Sequence, residues 1–231
     1  MAFASRSSDP VFVRGGPVGC LALHGFGGSP AEIGPVLAVL ASRGLTVAAP
    51  VLPGHGSAGP DLAHTRFRHW IRGAEEAFQA LAGQCTQVHL VGFSMGGLIA
   101  LHLAACRDVR SVCTLAAPVL MDDPQSLSGY LARYLRSGPP PTALRSLAHL
   151  ARLVRRELGR VRAPVLAMQG DRDVWIAPGS GAYLVQHVSG RPAQLRVLPG
   201  RGHFLGLERG REEVAAQVAD WIATHAIGYG P

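Results

Sequence analysis

The sequence contains no lysine; all 22 of its basic residues are arginine. So complete a bias points to coding composition rather than to a function of the charge. Charged residues of both signs make up only 16% of the chain, against 48% hydrophobic, which excludes a disordered, self-repelling polypeptide. Cysteine is scarce, and Cys20, Cys85, Cys106 and Cys113 show no CxxC spacing. They lie in or beside apolar segments, so buried free thiols in a reducing cytoplasm are expected, not a disulfide framework. The first ten residues lack the apolar core of a secretory signal. The longest clean apolar run, residues 112–121, is interrupted by Pro118 and falls short of the ~18 residues of a membrane span. No integral membrane segment is therefore expected, and the cytoplasm is the expected location.

The formal charge of +7 is local. Between Tyr130 and Arg162 there are eight arginines and one acid, Glu157, while the rest of the chain balances. No nucleic-acid recognition motif accompanies the cluster, so no nucleic-acid partner is expected. In the stretch 143–158, Arg145, Arg152, Arg155 and Arg156 fall among leucines at helical spacing. Such a helix has one apolar face, able to lie over an acyl pocket, and arginines pointing outward. They form a solvated face or a site of peripheral contact with anionic lipid.

Short apolar runs alternate with longer amphipathic ones. Strands are expected at 18–23, 45–51, 87–91, 109–115, 164–169 and 194–198. Helices are expected at 30–43, with Ser29 as N-cap, and at 70–81, 95–105, 181–188 and 212–225. Residues 121–159 break the alternation, with helical patterns at 127–135 and 143–158 around a triple proline. Buried strands separated by helices predict an α/β fold with a mostly parallel sheet and helices on both faces. The whole chain, 1–231, reads as one domain, with an insertion at about 121–160 as a small helical cap between two strands. Ligands of such sheets bind at the carboxyl ends of the strands.

Gly92-Phe93-Ser94-Met95-Gly96 joins an expected strand to an expected helix. That is the context of a nucleophile elbow, in which a sharp turn lifts a serine hydroxyl above the sheet. A hydroxyl attacks only when a base takes its proton. The resulting oxyanion needs backbone N–H donors, and the candidates are Met95, just after the serine, and Phe26 in the loop Leu23-His24-Gly25-Phe26-Gly27-Gly28. That glycine-rich loop lacks the lysine of a phosphate-binding loop. His24 within it reads as structural. In this chain order the acid precedes the base. His203, in Pro199-Gly200-Arg201-Gly202-His203-Phe204, is the candidate base. His187 and His225 fall inside helices, and His55 and His64 precede the serine. Asp173 is the candidate acid, three residues after Gly170, whereas Asp171 is expected to make a local turn hydrogen bond. Nothing here calls for a metal or another cofactor.

These motifs, with Ala49-Pro50, Gly54-His55-Gly56, His64-Thr65, Trp70, Ala117-Pro118 and Pro178, resemble those of the α/β-hydrolase superfamily. The resemblance is to its small bacterial carboxylesterases related to monoacylglycerol lipases. It implies an α/β-hydrolase fold and a cofactor-free serine hydrolase cleaving short- to medium-chain acyl esters or monoglycerides under a small helical cap. Carbon–carbon bond hydrolysis, perhydrolysis and a non-catalytic binding role are the alternatives the same fold allows.

Overall fold

A computed structural model of the chain describes residues 9–56, 59–121 and 140–227. The expected helix at 127–135 and residues 122–139 of the expected cap lie outside these residues.

The described strands form one seven-stranded sheet. They are β1 (Val11–Val13), β2 (Val18–Leu23), β3 (Thr46–Ala49), β4 (Gln87–Phe93), β5 (Val112–Leu115), β6 (Val165–Gly170) and β7 (Ala193–Leu198), in spatial order β1-β3-β2-β4-β5-β6-β7. Only β1 runs antiparallel to its neighbour. It was not expected from the sequence, because three half-exposed residues carry no period long enough to read. The inner strands β2, β3, β5 and β6 are buried along their full length, as continuous apolar runs covered on both faces should be.

The helices are α1 (Gly34–Ser42), α2 (Phe67–Ala82), α3 (Met95–Cys106), α4 (Pro141–Glu157), α5 (Ser180–His187) and α6 (Arg211–His225). The expected helix at 30–43 is divided: Pro30–Ile33 is a tight 3-10 turn and α1 follows it. Ser29 makes no side-chain cap bond, and its carbonyl instead receives the Glu32 N–H at 3.0 Å. Between β2 and β3 the chain steps one way across the sheet, and from β3 onward the other. Right-handed crossovers then put α1 on one face and α2, α3, α4 and α5 on the opposite one. The final helix, α6, packs on α1. The helix α3 is buried almost all round, because the sheet, α2 and α4 enclose it.

The expectation for α4 needs correction. Its apolar face, including Leu144, Leu147, Leu150, Ala151 and Val154, packs on α3 and α2 rather than standing over an acyl pocket. Ser146 on this face accepts the Phe67 N–H at 2.7 Å, pinning α4 to the start of α2. Arg145, Arg152 and Arg156 face outward as expected, while Arg155 is half-buried. The thiols also divide: all four are free, Cys20 and Cys113 are buried, Cys85 is half-buried and Cys106 is exposed. No described helix is long and apolar enough to cross a membrane.

The core encloses polar groups whose protonation depends on folding. His24, His55 and His89 are buried, and desolvation lowers their pKa values from 6.5 to about 3, 4 and 3. Unfolding restores the ordinary value, so the unfolded chain binds more protons throughout that window. Each group then removes about 1.4 kcal/mol of stability per unit as pH falls below 6.5. Glu32 has the opposite sign. Burial raises its pKa from 4.5 to about 7, partly offset by the Gly25 N–H that it accepts at 2.8 Å. Its cost to folding grows as pH rises from 4.5 to 7 and then levels off. Three histidines outweigh one carboxyl, so the thermal midpoint should fall steadily between pH 6.5 and 4.5. A flat midpoint there would mean that the imidazoles protonate inside the folded protein. For Glu32→Gln, calorimetry should find stabilisation on the order of 2 kcal/mol at pH 8 that has vanished by pH 4.

Candidate active site

The site follows from strand register. Leu23 of β2 pairs with Gly92 of β4, so the loop after β2 and the turn after β4 begin level with each other. This is also where the crossover direction reverses, the crevice in which such sheets bind ligands. Two strands away, Gly170 of β6 pairs with Leu198 of β7, so the loops carrying Asp173 and His203 also begin level.

Ser94 sits between β4 and α3 with φ 51° and ψ −115°, a left-handed conformation that costs a non-glycine residue about 1–3 kcal/mol. The surroundings enforce it. A Cβ at Gly92 would strike the Gly96 carbonyl, and one at Gly96 would strike the Leu23 carbonyl. Only glycines let strand and helix close on the turn, and the Ser94 N–H is meanwhile held by the Leu115 carbonyl at 2.8 Å.

The side chains expected to act together are in contact. Ser94 Oγ lies 3.1 Å from His203 Nε2, and His203 Nδ1 lies 2.7 Å from Asp173 Oδ2. All three residues are buried. The carboxylate can only accept, so Nδ1 carries the proton and donates it to Asp173. Nε2 is left with its lone pair toward Ser94, whose hydroxyl donates to it. The other oxygen of Asp173, Oδ1, accepts the Trp175 N–H at 2.8 Å and the Ile176 N–H at 3.2 Å. These bonds fix the carboxylate plane, and sequence reasoning did not foresee them.

Asp171 is not the imidazole's partner, and its bond is not local. Its Oδ1 accepts the Gly200 N–H at 2.7 Å, tying the loop after β6 to the loop after β7. Met95 is the first residue of α3, and its N–H accordingly has no partner in the preceding turn. The positive end of the helix dipole lies there. Phe26 is buried in the loop after β2, its ring 5.5 Å from that of Trp70 and 5.9 Å from that of His55. His24 is structural, as expected: Nε2 accepts the Leu52 N–H at 3.0 Å and Nδ1 donates to the Gly25 carbonyl at 2.8 Å. His187 and His225 donate to carbonyls one turn back in their own helices, at 2.7 and 2.8 Å.

Two glutamates absent from the sequence-based candidates hold these loops. Glu32 accepts the Gly25 N–H beneath the loop that carries Phe26. Glu208 accepts the Gly202 and Phe204 N–H groups on either side of His203, at 2.7 and 3.1 Å. An acid five residues after a candidate base is a visible signal, but nothing in the sequence says that it folds back. No metal was expected. Among the described residues one group, His102, Cys106 and Glu157, offers ligand atoms within 4.8 Å of one another. It lies at the end of α3 remote from Ser94, and His102 Nδ1 is already bonded to Glu157 at 2.7 Å.

Comparison with known proteins agrees with this architecture. The thermostable monoacylglycerol lipase of Bacillus sp. (strain H-257) is 29% identical over 95% of this chain and 96% of its own length. The carboxylesterase of Bacillus subtilis (strain 168) is 23% identical over 92% of this chain and 95% of its own. A solved structure of the metagenome-derived lipolytic enzymes LipS and LipT superposes with a TM-score of 0.86 at 22% identity, covering 95% of this chain and 99% of that one. The sequence profile of the alpha/beta hydrolase family matches residues 20–217, and the chain belongs to that family.

Proposed function

We propose that this protein is a carboxylic ester hydrolase that works through an acyl-enzyme on Ser94. The observation that carries the reading is the Ser94–His203–Asp173 chain of hydrogen bonds at 3.1 and 2.7 Å, beneath a helix N-terminus. His203 Nε2 takes the Ser94 proton as Oγ attacks the ester carbonyl. The imidazolium so formed is stabilised by Asp173 through Nδ1–H. Negative charge on the former carbonyl oxygen is received by the Met95 and Phe26 N–H groups. His203 then gives its proton to the departing alkoxide, leaving an ester on Ser94 and a free alcohol. Water, deprotonated by His203, attacks that ester; the acyl–Oγ bond breaks, the acid is released and His203 returns the proton to Ser94 Oγ. Protons balance at each half-reaction, and no step calls on a metal or a redox group.

The named activities of the two Bacillus relatives, a monoacylglycerol lipase and a carboxylesterase, support carboxylic esters, monoglycerides among them, as the substrate class. Short- to medium-chain acyl groups are the part of the reading that a chain-length series of esters tests. Ser94→Ala should lower kcat on p-nitrophenyl esters by several orders of magnitude with the fold unchanged. Asp173→Asn should also be severe, since it favours the wrong imidazole tautomer, while Asp171→Asn should be milder. One tenth of wild-type activity surviving in a clean Ser94→Ala preparation would refute the assignment, and a crippled Asp171→Asn beside a near-normal Asp173→Asn would move the acid.

The outward arginines of α4 give a second, separable expectation. Its apolar face is occupied by α3 and α2, so any contact with anionic lipid is electrostatic, without insertion. Sedimentation with anionic vesicles should be measurable at low salt and lost near 1 M, where the Debye length is about 3 Å. Replacing Arg145, Arg152 and Arg156 by Gln should abolish it without changing hydrolysis of a neutral soluble ester. Wild-type protein that ignores such vesicles at low salt has a solvated basic face and nothing more.

A further inference from the structure

Resting on the reading of His203 as the base, we propose that Glu208 is a positioning residue for it, acting through the backbone. Its Oε2 accepts the Gly202 N–H at 2.7 Å and its Oε1 accepts the Phe204 N–H at 3.1 Å. One carboxylate thus grips the peptide on each side of His203 without touching the imidazole. The turn is also closed from the other direction. The Phe204 carbonyl accepts the Leu207 N–H at 2.8 Å and the Glu208 N–H at 3.0 Å, and the His203 carbonyl accepts the Leu205 N–H at 3.0 Å. A Cβ at Gly202 would stand 2.7 Å from Glu208 Oε1, so a side chain there would push the carboxylate off the loop.

The arrangement answers a mechanical need. His203 sits on a loop, and a loop alone does not hold an imidazole to the few tenths of an ångström that proton transfer from Ser94 demands. The Asp173 hydrogen bond fixes the ring's tilt but not the backbone that carries it. The Asp171 bond to Gly200 tethers the start of the loop, and Glu208 fixes the three residues 202–204. Charge matters as well as shape. A carboxylate offers an acceptor at each oxygen, and bonds from neutral N–H groups to an ion are stronger than neutral pairs. A glutamine has one acceptor, and its amide nitrogen would face an N–H donor to donor.

Glu208→Gln, nearly the same size, tests the role with little risk to the fold, which circular dichroism and the thermal midpoint check. On a p-nitrophenyl ester its kcat should fall about tenfold with KM changed less than threefold, because the lost interaction aligns the base rather than binding substrate. Glu208→Ala should fall further in the same direction. A readout independent of turnover is the low-field proton resonance of the His203 Nδ1–H bonded to Asp173. It should be present in the wild type and broadened or shifted in Glu208→Gln. If Glu208→Gln folds with unchanged kcat and an unmoved resonance, the proposal is overturned. Should the wild type hydrolyse no ester, the proposed activity fails, and the resonance alone still decides whether Glu208 governs the His203–Asp173 geometry.

Discussion

The constraint on which the site depends is the turn at Ser94. A residue with a side chain is held at φ 51° because α3 closes on β4 at Gly92 and on the end of β2 at Gly96 more tightly than any Cβ would permit. The strain is sustained by what surrounds it: β4 lies between β2 and β5, and α3 is buried almost all round. Neither element can relax without opening the core. The same geometry makes Ser94 the N-cap of α3 and Met95 its first residue, so the proposed nucleophile and one proposed oxyanion donor are set by a single backbone event. A strained turn in a soft setting would relax; here the sheet and the buried helix over-determine it.

Around that fixed point, the remaining parts arrive on loops, and each loop is restrained by an acid that the chemistry does not consume. Glu32 holds Gly25, Asp171 holds Gly200, and Glu208 holds Gly202 and Phe204. The pattern is a carboxylate accepting backbone N–H groups, which satisfies donors that a tight loop leaves without a partner. Glycine recurs on the donor side for two reasons: a Cβ at Gly25 or Gly202 would stand 3.1 or 2.7 Å from the gripping carboxylate, whereas Gly200 has open space around it and serves a backbone φ of 72°. Asp173 combines both duties, using Oδ1 on the Trp175 and Ile176 N–H groups and Oδ2 on His203. A carboxylate tethered by one oxygen directs the other with little freedom, which is why the imidazole tautomer is fixed before any substrate arrives.

Much of this was legible in the sequence because it is local. The strand–Gly-x-Ser-x-Gly–helix succession specifies a turn within ten residues, and chain order narrowed ten histidines to His203 and two aspartates to Asp173. The inner strands were readable as unbroken apolar runs, with β4 extending through Phe93 rather than ending at Val91. What escaped was either too short or too distant. The edge strand β1 has three residues, and its pairing with β3 is decided across the sheet. The Asp171–Gly200 bond spans 29 positions, so the prior for a local turn bond pointed the wrong way.

The helix α4 shows why periodicity carries less than it appears to. Leucines at 144, 147 and 150 with Val154 declare an apolar face in either of two settings, a cap over a pocket or a helix against the body. Hydrophobic spacing states that a face will be covered, not by what. The cover here is α3 and α2, and Ser146 decides between the two settings. A serine in the buried stripe would be a defect over an acyl pocket, where no donor waits for it. Against the first turn of α2 it is useful, since the Phe67 N–H is one of the donors that every helix start leaves unpaired. The polar exception within the apolar stripe, rather than the stripe, is the part of α4 that names its neighbour.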